Sequence, residues 1–185
     1  MKRKTAKEIL ADAFREVAAT RGVDKITVKD ITENSGYSTA TFYRQFRDKY
    51  DLIAWDYSRR VGAIMDRVGR EGYSWRDTLL DGARYYDHDR AYLANLFLHT
   101  TGLESFLRYM TETNDRYLRA YVMKAMGVRD LDEKTSMYIH SYCHGTVALT
   151  CECVLGKYSV GVEALAEVFE NALPAPLRPW LLPSE

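Results

Sequence analysis

An all-α fold is predicted by three features of this 185-residue chain. All four prolines lie within residues 174–183, so no pyrrolidine ring interrupts a helix upstream. Apolar residues recur at the helical period, as in the stripe Ile9, Leu10, Ala13, Phe14 and Val17. Capping side chains are followed three residues later by acids, and glycines close the periodic stretches. About nine helices are expected, in a small N-terminal helix-turn-helix head and a larger helical body.

Helix 5–21 opens at Thr5 with Glu8, helix 27–34 at Thr27 with Asp30, and helix 75–87 behind Ser74 with Asp77. Helix 131–155 opens on Asp130 with Glu133. In each pair the cap satisfies an orphan amide and the acid complements the dipole of the first turn. Gly22, Gly36, Gly72, Gly127 and Gly156 stand where a left-handed residue ends a helix most easily. Periodicity predicts the remaining helices over 38–46, 49–70, 90–99, 103–126 and 162–173. Beyond about residue 60 the helices lengthen and become richer in Tyr, Leu and Met, which places a head at residues 1–48 and a body at 49–185.

Composition narrows the class. With 46% hydrophobic and 28% charged residues the chain has material for a sizeable core. No stretch approaches the ~20 apolar residues that span a bilayer, and no apolar run follows the basic start, so neither a membrane span nor a signal peptide is expected. Three cysteines, all within 143–153, make no disulfide framework, which points to a reduced, cytoplasmic protein. The net charge of zero hides an asymmetry: residues 1–60 hold 13 Lys and Arg against 9 Asp and Glu, and the remainder is acidic by the same margin. A basic head on an acidic body fits a nucleic-acid module joined to a second function.

The stretch "SGYSTATFYRQFRDK" (35–49) says what that module touches. Helix 27–34, a turn at Gly36 and helix 38–46 have the helix-turn-helix layout. Ile26, Val28 and Ile31 pack inward, and Phe42 and Phe46, four apart, anchor the second helix on its inner side. The opposite face carries Thr39, Ala40, Tyr43 and Arg44, short enough at its start to enter a major groove. Tyr43 can give its hydroxyl to a phosphate, Arg44 can reach a base or the backbone, and Ser38 serves as both cap and phosphate donor.

The block "AFREVAATRGVDKITVKDITENSGYSTATFYRQFRDKYDLI" resembles the DNA-binding domain of TetR-family transcriptional regulators. The resemblance covers about the first quarter of the chain. It implies an all-helical homodimer whose two heads grip a palindromic operator on double-stranded DNA, repressing transcription until an effector binds the body. It also implies phosphate contacts from Thr27, Tyr43 and Lys49, and a recognition helix opening on Ser38, Thr39, Ala40 and Thr41. Two positions depart from the family pattern: Ala40 where glycine is common, and Gln45 where an aromatic is common. Both alter the preferred operator.

In the body, "RYYDHDRAYLANLFLHTTGLESFLRYM" is dense in side chains with apolar walls and polar tips, as in pockets between helices. The candidate effector residues are Tyr85, Tyr86, Tyr92, Phe97, His99, Phe106, Tyr109, Tyr117, Tyr121 and Tyr142, of which half at most are expected to line a cavity. A dimer seam is expected on the last two long helices, from Tyr138, Val147 and Val154 with Val162, Leu165, Ala166, Phe169 and Leu173. Segments of the body resemble the subgroup of dihydroxyacetone-kinase operon regulators, some of which answer to a partner protein. That leaves a co-regulator as the alternative to a small-molecule sensor. His140 and His144, beside Cys143 with Cys151 and Cys153 beyond, raise the further alternatives of a metal site or a Cys/His-dependent enzyme. No orienting carboxylate or cofactor fingerprint accompanies them, so neither metal, cofactor nor catalysis is expected.

Overall fold

The computed structural model describes residues 4–102 and 105–182, and every regular element among them is helical. The head begins with α1 (Ala6–Ala18), where Thr5 and Glu8 cap each other reciprocally. A single 3-10 turn (Val23–Lys25) leads to α2 (Val28–Ser35), opened by the Thr27–Asp30 box, and Gly36 takes φ +71°. Ser38 caps α3 (Thr39–Gln45) by accepting from the Thr41 amide. Leu10, Phe14, Ile26, Ile31, Phe42 and Phe46 are all within 2% of full burial and form the head's core.

The body comprises α4 (Lys49–Met65), α5 (Trp75–His88), α6 (Arg90–His99), α7 (Phe106–Met126), α8 (Glu133–Val154) and α9 (Val162–Asn171). Two expected boundaries are corrected. Helix 49–70 stops at Met65, because Gly69, Glu71 and Gly72 all take positive φ in the turn before Ser74. Helix 131–155 starts behind Asp132, not Asp130: the Asp132 carboxylate accepts from the Thr135 amide. Residues 103–104 of the expected helix 103–126 lie outside the described residues. The proline-containing tail, where no helix was expected, makes a 3-10 turn (Ala175–Leu177) and the one-turn α10 (Arg178–Leu181). Leu177 and Leu181 seat that tail in the body core.

Helices α4, α7 and α8 pack in succession, α5 packs on α9, and α6 lies between the head and α8. Leu93 and Leu96 of α6 join the head core to Phe106, Met110 and Val147, so the apolar interior runs through from head to body.

Three polar contacts fix this joint. Asn95 of α6 donates to the Ala18 and Arg21 carbonyls at 2.7 and 2.8 Å and accepts from the Val23 amide at 3.0 Å. The Lys49 ammonium donates to the carbonyls of Val23, Asp24 and Ile26. Arg15 of α1 reaches Asp56 of α4 and Asp89 between α5 and α6, both at 2.7 Å, with its guanidinium 4.0 Å from the Tyr92 ring. Burial opposes the Arg15 charge, but Tyr92 and the Asp56 carboxylate outweigh it and hold the pKa above the ordinary value.

Candidate functional site

The reading face is the outer side of α3. Phe42 is fully buried while its neighbour Tyr43 is 58% exposed, the two rings meeting edge-on at 5.5 Å. Phe42 and Phe46, 5.8 Å apart, and Trp55 beyond them clamp the inner side. Ser38, Thr39, Ala40, Tyr43 and Arg44 are exposed, with Thr41 and Gln45 half-buried at the margins. Arg44 donates to the Thr41 hydroxyl at 2.9 Å, which holds the guanidinium along the helix. A short polar helix is thus held rigidly from behind and left open in front, the arrangement a major groove accepts.

Two expected phosphate contacts are placed differently. Lys49 points back into the head, its ammonium spent on the three carbonyls of the 23–26 turn, because that turn leaves orphan acceptors where α4 begins. Thr27 is exposed, but its hydroxyl is engaged by the Asp30 carboxylate, which Arg21 also holds at 2.7 Å.

In the body, α4, α5, α7, α8 and α9 enclose a cavity of about 90 Å³. Of the ten candidate effector residues, Tyr85, Tyr86, Tyr117 and Tyr142 line it. The others do not. Phe97 and Phe106 pack together at 5.1 Å in the joint, Tyr92 lies under Arg15, and Tyr121 belongs to the core around α7 and α10. His99 is exposed beside Asp24, and Tyr109 is half-buried away from the cavity. Sequence reasoning missed Trp75, Gly82, Asn114, Cys143 and Thr146 on the wall. Trp75, directly behind the Ser74 cap, was the one legible signal: an aromatic at the first position of a helix has to bury itself against something.

The residues expected at a dimer seam are placed within the protomer. Val147, Val154, Leu165, Ala166, Phe169 and Leu173 are all 7% exposed or less and close the protomer's own core, and Tyr138 and Val162 pack half-buried against it. The outward stripe of α8 is instead Met137 (65% exposed), Ser141, Gly145 and Ala148. Beside it α9 presents Ala164, Val168 and Ala172. A 3.6-residue stripe marks a buried face but not what buries it.

His140 and His144 meet edge-on at 4.3 Å on the exposed side of α8, with His140 Nδ1 3.4 Å from Asp115. Among the described residues no group of three or more His, Cys, Asp and Glu is placed to hold a metal ion. Cys143 faces the cavity from another side of the helix, and burial pushes its thiol up to about 12. A thiol so protonated is no nucleophile at neutral pH. Among the described residues no helix is long and apolar enough to cross a membrane.

Comparison with known proteins agrees with this geometry. Residues 9–54 match the family described as bacterial regulatory proteins, tetR family. The HTH-type dhaKLM operon transcriptional activator DhaS of Lactococcus lactis is 24% identical over 99 residues, which span 54% of this chain and about half (52%) of that relative. Among solved structures, a dihydroxyacetone kinase operon activator DhaS superposes with a TM-score of 0.66 at 18% identity, covering 95% of this chain and 97% of the other. A TetR transcriptional regulator from Rhodococcus follows at 0.65 and 16%, covering 89% and 91%. At these identities the superpositions establish the fold, and the family match covers the head alone. Residues 9–54 are thus similar to the TetR family of bacterial regulatory proteins, and the chain resembles the DhaS regulators in fold.

Proposed function

We propose that this protein is a cytoplasmic transcriptional regulator that binds a palindromic operator as a homodimer and leaves it when an effector occupies the body. Residues 1–48 are the reading head and 49–185 the sensing and pairing body. The observation that carries this reading is the two-sided build of α3: Phe42 buried behind, Tyr43 exposed in front. Thr39 and Ala40 approach base edges, Tyr43 and Ser38 hold phosphates, and Arg44 and Gln45 reach a base or the backbone.

One such helix contacts few base pairs, so affinity requires two heads about one turn, ~34–36 Å, apart. The second copy pairs through the outward stripe of α8 and α9. Ser141, Gly145, Ala148, Ala164 and Ala172 let helices approach closely, with Met137 and Val168 supplying apolar cover.

The polar joint carries the signal. Tyr85 stands on the cavity wall and also beside the joint, with the Arg60 guanidinium 5.6 Å from its ring. An effector that moves α5 therefore shifts the Asp89 end of the Arg15 clamp and tilts the head. A few kcal/mol of differential binding suffices, since ~1.4 kcal/mol changes occupancy tenfold. Selection of bound duplexes from a random library tests the reading. It predicts a two-fold symmetric consensus, with affinity falling steeply with salt as phosphates are neutralised. An enriched pool with no symmetry, or no enrichment at low salt, would contradict it.

A further inference from the structure

The body cavity is unusual in what it lacks and what it leaves unpaired. None of the described residues lining it is Asp, Glu, Lys, Arg or His. The cations around it are committed elsewhere: Arg119 to Asp115 and Ser136, Arg76 to Glu170, and Arg60 to Asp56 behind the Tyr85 ring. The hydroxyls on the wall are nearly all spent as well. Thr78, Thr146 and Thr150 donate to carbonyls one turn back, and Tyr142 donates to the Phe169 carbonyl at 2.9 Å.

Two polar groups of the lining residues have no hydrogen-bond partner: the Tyr85 hydroxyl, whose ring lies beside Arg60, and the Trp75 indole. Trp75 is 95% buried (5% exposed), and its indole Nε1–H has no hydrogen-bond partner. The hydroxyl of neighbouring Tyr142 stands close to the indole and is turned to the Phe169 carbonyl, without completing a hydrogen bond from Trp75. A buried N–H left unpaired is costly, and native structures rarely keep one without a reason. The walls beside it are the rings of Tyr86, Tyr117, Tyr142 and Phe169. At ~10–15 Å³ for each water-sized atom, about 90 Å³ holds roughly six to nine such atoms.

We propose that this cavity takes a small, uncharged, flat ring compound bearing one hydrogen-bond acceptor, which receives the Trp75 Nε1–H, and that it rejects anions. This rests on the reading of the cavity as the effector site and names the chemistry of its occupant. The rings supply apolar contact to a planar guest, and the indole supplies orientation. A carboxylate or phosphate would enter with no free cation to meet it, at a desolvation cost nothing on the wall repays. Burial raises the Tyr86 hydroxyl and the Cys143 thiol above their ordinary pKa values, as expected of a wall that disfavours charge.

Three probes of matched size test this by calorimetric titration of the full chain: acetophenone, isopropylbenzene and benzoate. Acetophenone should bind, isopropylbenzene about tenfold more weakly for want of the acceptor, and benzoate at least about a hundredfold more weakly. Trp75→Phe should erase the acetophenone advantage and leave isopropylbenzene unchanged. Gly82→Leu gives a second handle. A Cβ at Gly82 meets only a Tyr86 ring atom at 4.0 Å and the residue lines the cavity, so a leucine there should occupy it and abolish binding of all three while the helical spectrum persists. If Trp75→Phe fails to fold, the wild-type series and Gly82→Leu still decide. Benzoate binding as tightly as acetophenone, equal binding of the two neutral probes, undiminished binding to Gly82→Leu, or no binding of any probe would each overturn the proposal. Any of these, with the selected operator still bound, refutes the ligand class alone. Loss of operator binding by the wild type refutes the regulator reading instead.

Discussion

The head–body joint and the body cavity are both buried, and helix α5 touches both, yet they are built from opposite materials. At the joint, Asp56 is 1% exposed and is reached by Arg15, Arg59 and Arg60. At the cavity, none of the described lining residues carries a charge. Directional charged bonds hold two rigid parts at one angle and lose most of their energy when that angle changes. Apolar walls tolerate a guest in several poses and give way gradually. The contrast teaches a division of labour: the cavity can be filled without breaking anything, whereas the joint cannot move without breaking something.

Each side of that contrast can be attacked. The largest effect is expected from Asp56→Ala, which removes the buried carboxylate from the partly buried Arg15 and Arg60 and leaves them Asp89 alone. Urea unfolding should show a loss of about 3–5 kcal/mol. Asn95→Ala removes three hydrogen bonds between α6 and residues 18–23 of the head, and about 2 kcal/mol should be lost in the same assay. Lys49→Met strips the 23–26 turn of its donor and should cost about 1–2 kcal/mol of stability. An unchanged melting temperature with weakened DNA binding would restore Lys49 as a phosphate contact. On the cavity side Gly82→Ala should stabilise by about 0.5–1 kcal/mol, since it removes a helix-interior glycine and meets no close neighbour.

The smallest effect is an acid limb that belongs to the joint alone. Burial pushes the Asp89 pKa up, but hydrogen bonds from His88 and Arg15 more than offset this and leave it below its ordinary value. A carboxylate with a depressed folded pKa contributes stability above its unfolded pKa of about 4 and loses it as pH falls through the lower folded value. Asp89→Asn should therefore flatten the decline of stability below about pH 4. The effect is shallow because the group keeps some solvent access.

Much of the head was legible because its signals are local. The Thr5–Glu8, Thr27–Asp30 and Ser74–Asp77 boxes act within one turn, and all three form as read. The split between Phe42 and Tyr43 likewise follows from helical spacing alone. The joint was not legible. Arg15 meets Asp56 and Asp89 across 41 and 74 residues, and nothing local distinguishes them from solvated charges. Sequence spacing located the tyrosines that line the cavity but could not separate them from Tyr92 or Phe106, which bury equally well elsewhere. The stripe of α9 expected at a pairing face is the one the protomer buries in its own core. The small residues 141, 145 and 148 are exposed and carry the pairing proposed above.

The central claim is that the outer face of α3 reads DNA, and Tyr43→Ala tests it most directly. Fluorescence anisotropy on the selected operator should show at least about a tenfold loss of affinity, the worth of a phosphate hydrogen bond lost at each head, with an unchanged melting temperature. Undiminished affinity in a folded Tyr43→Ala protein would contradict the account.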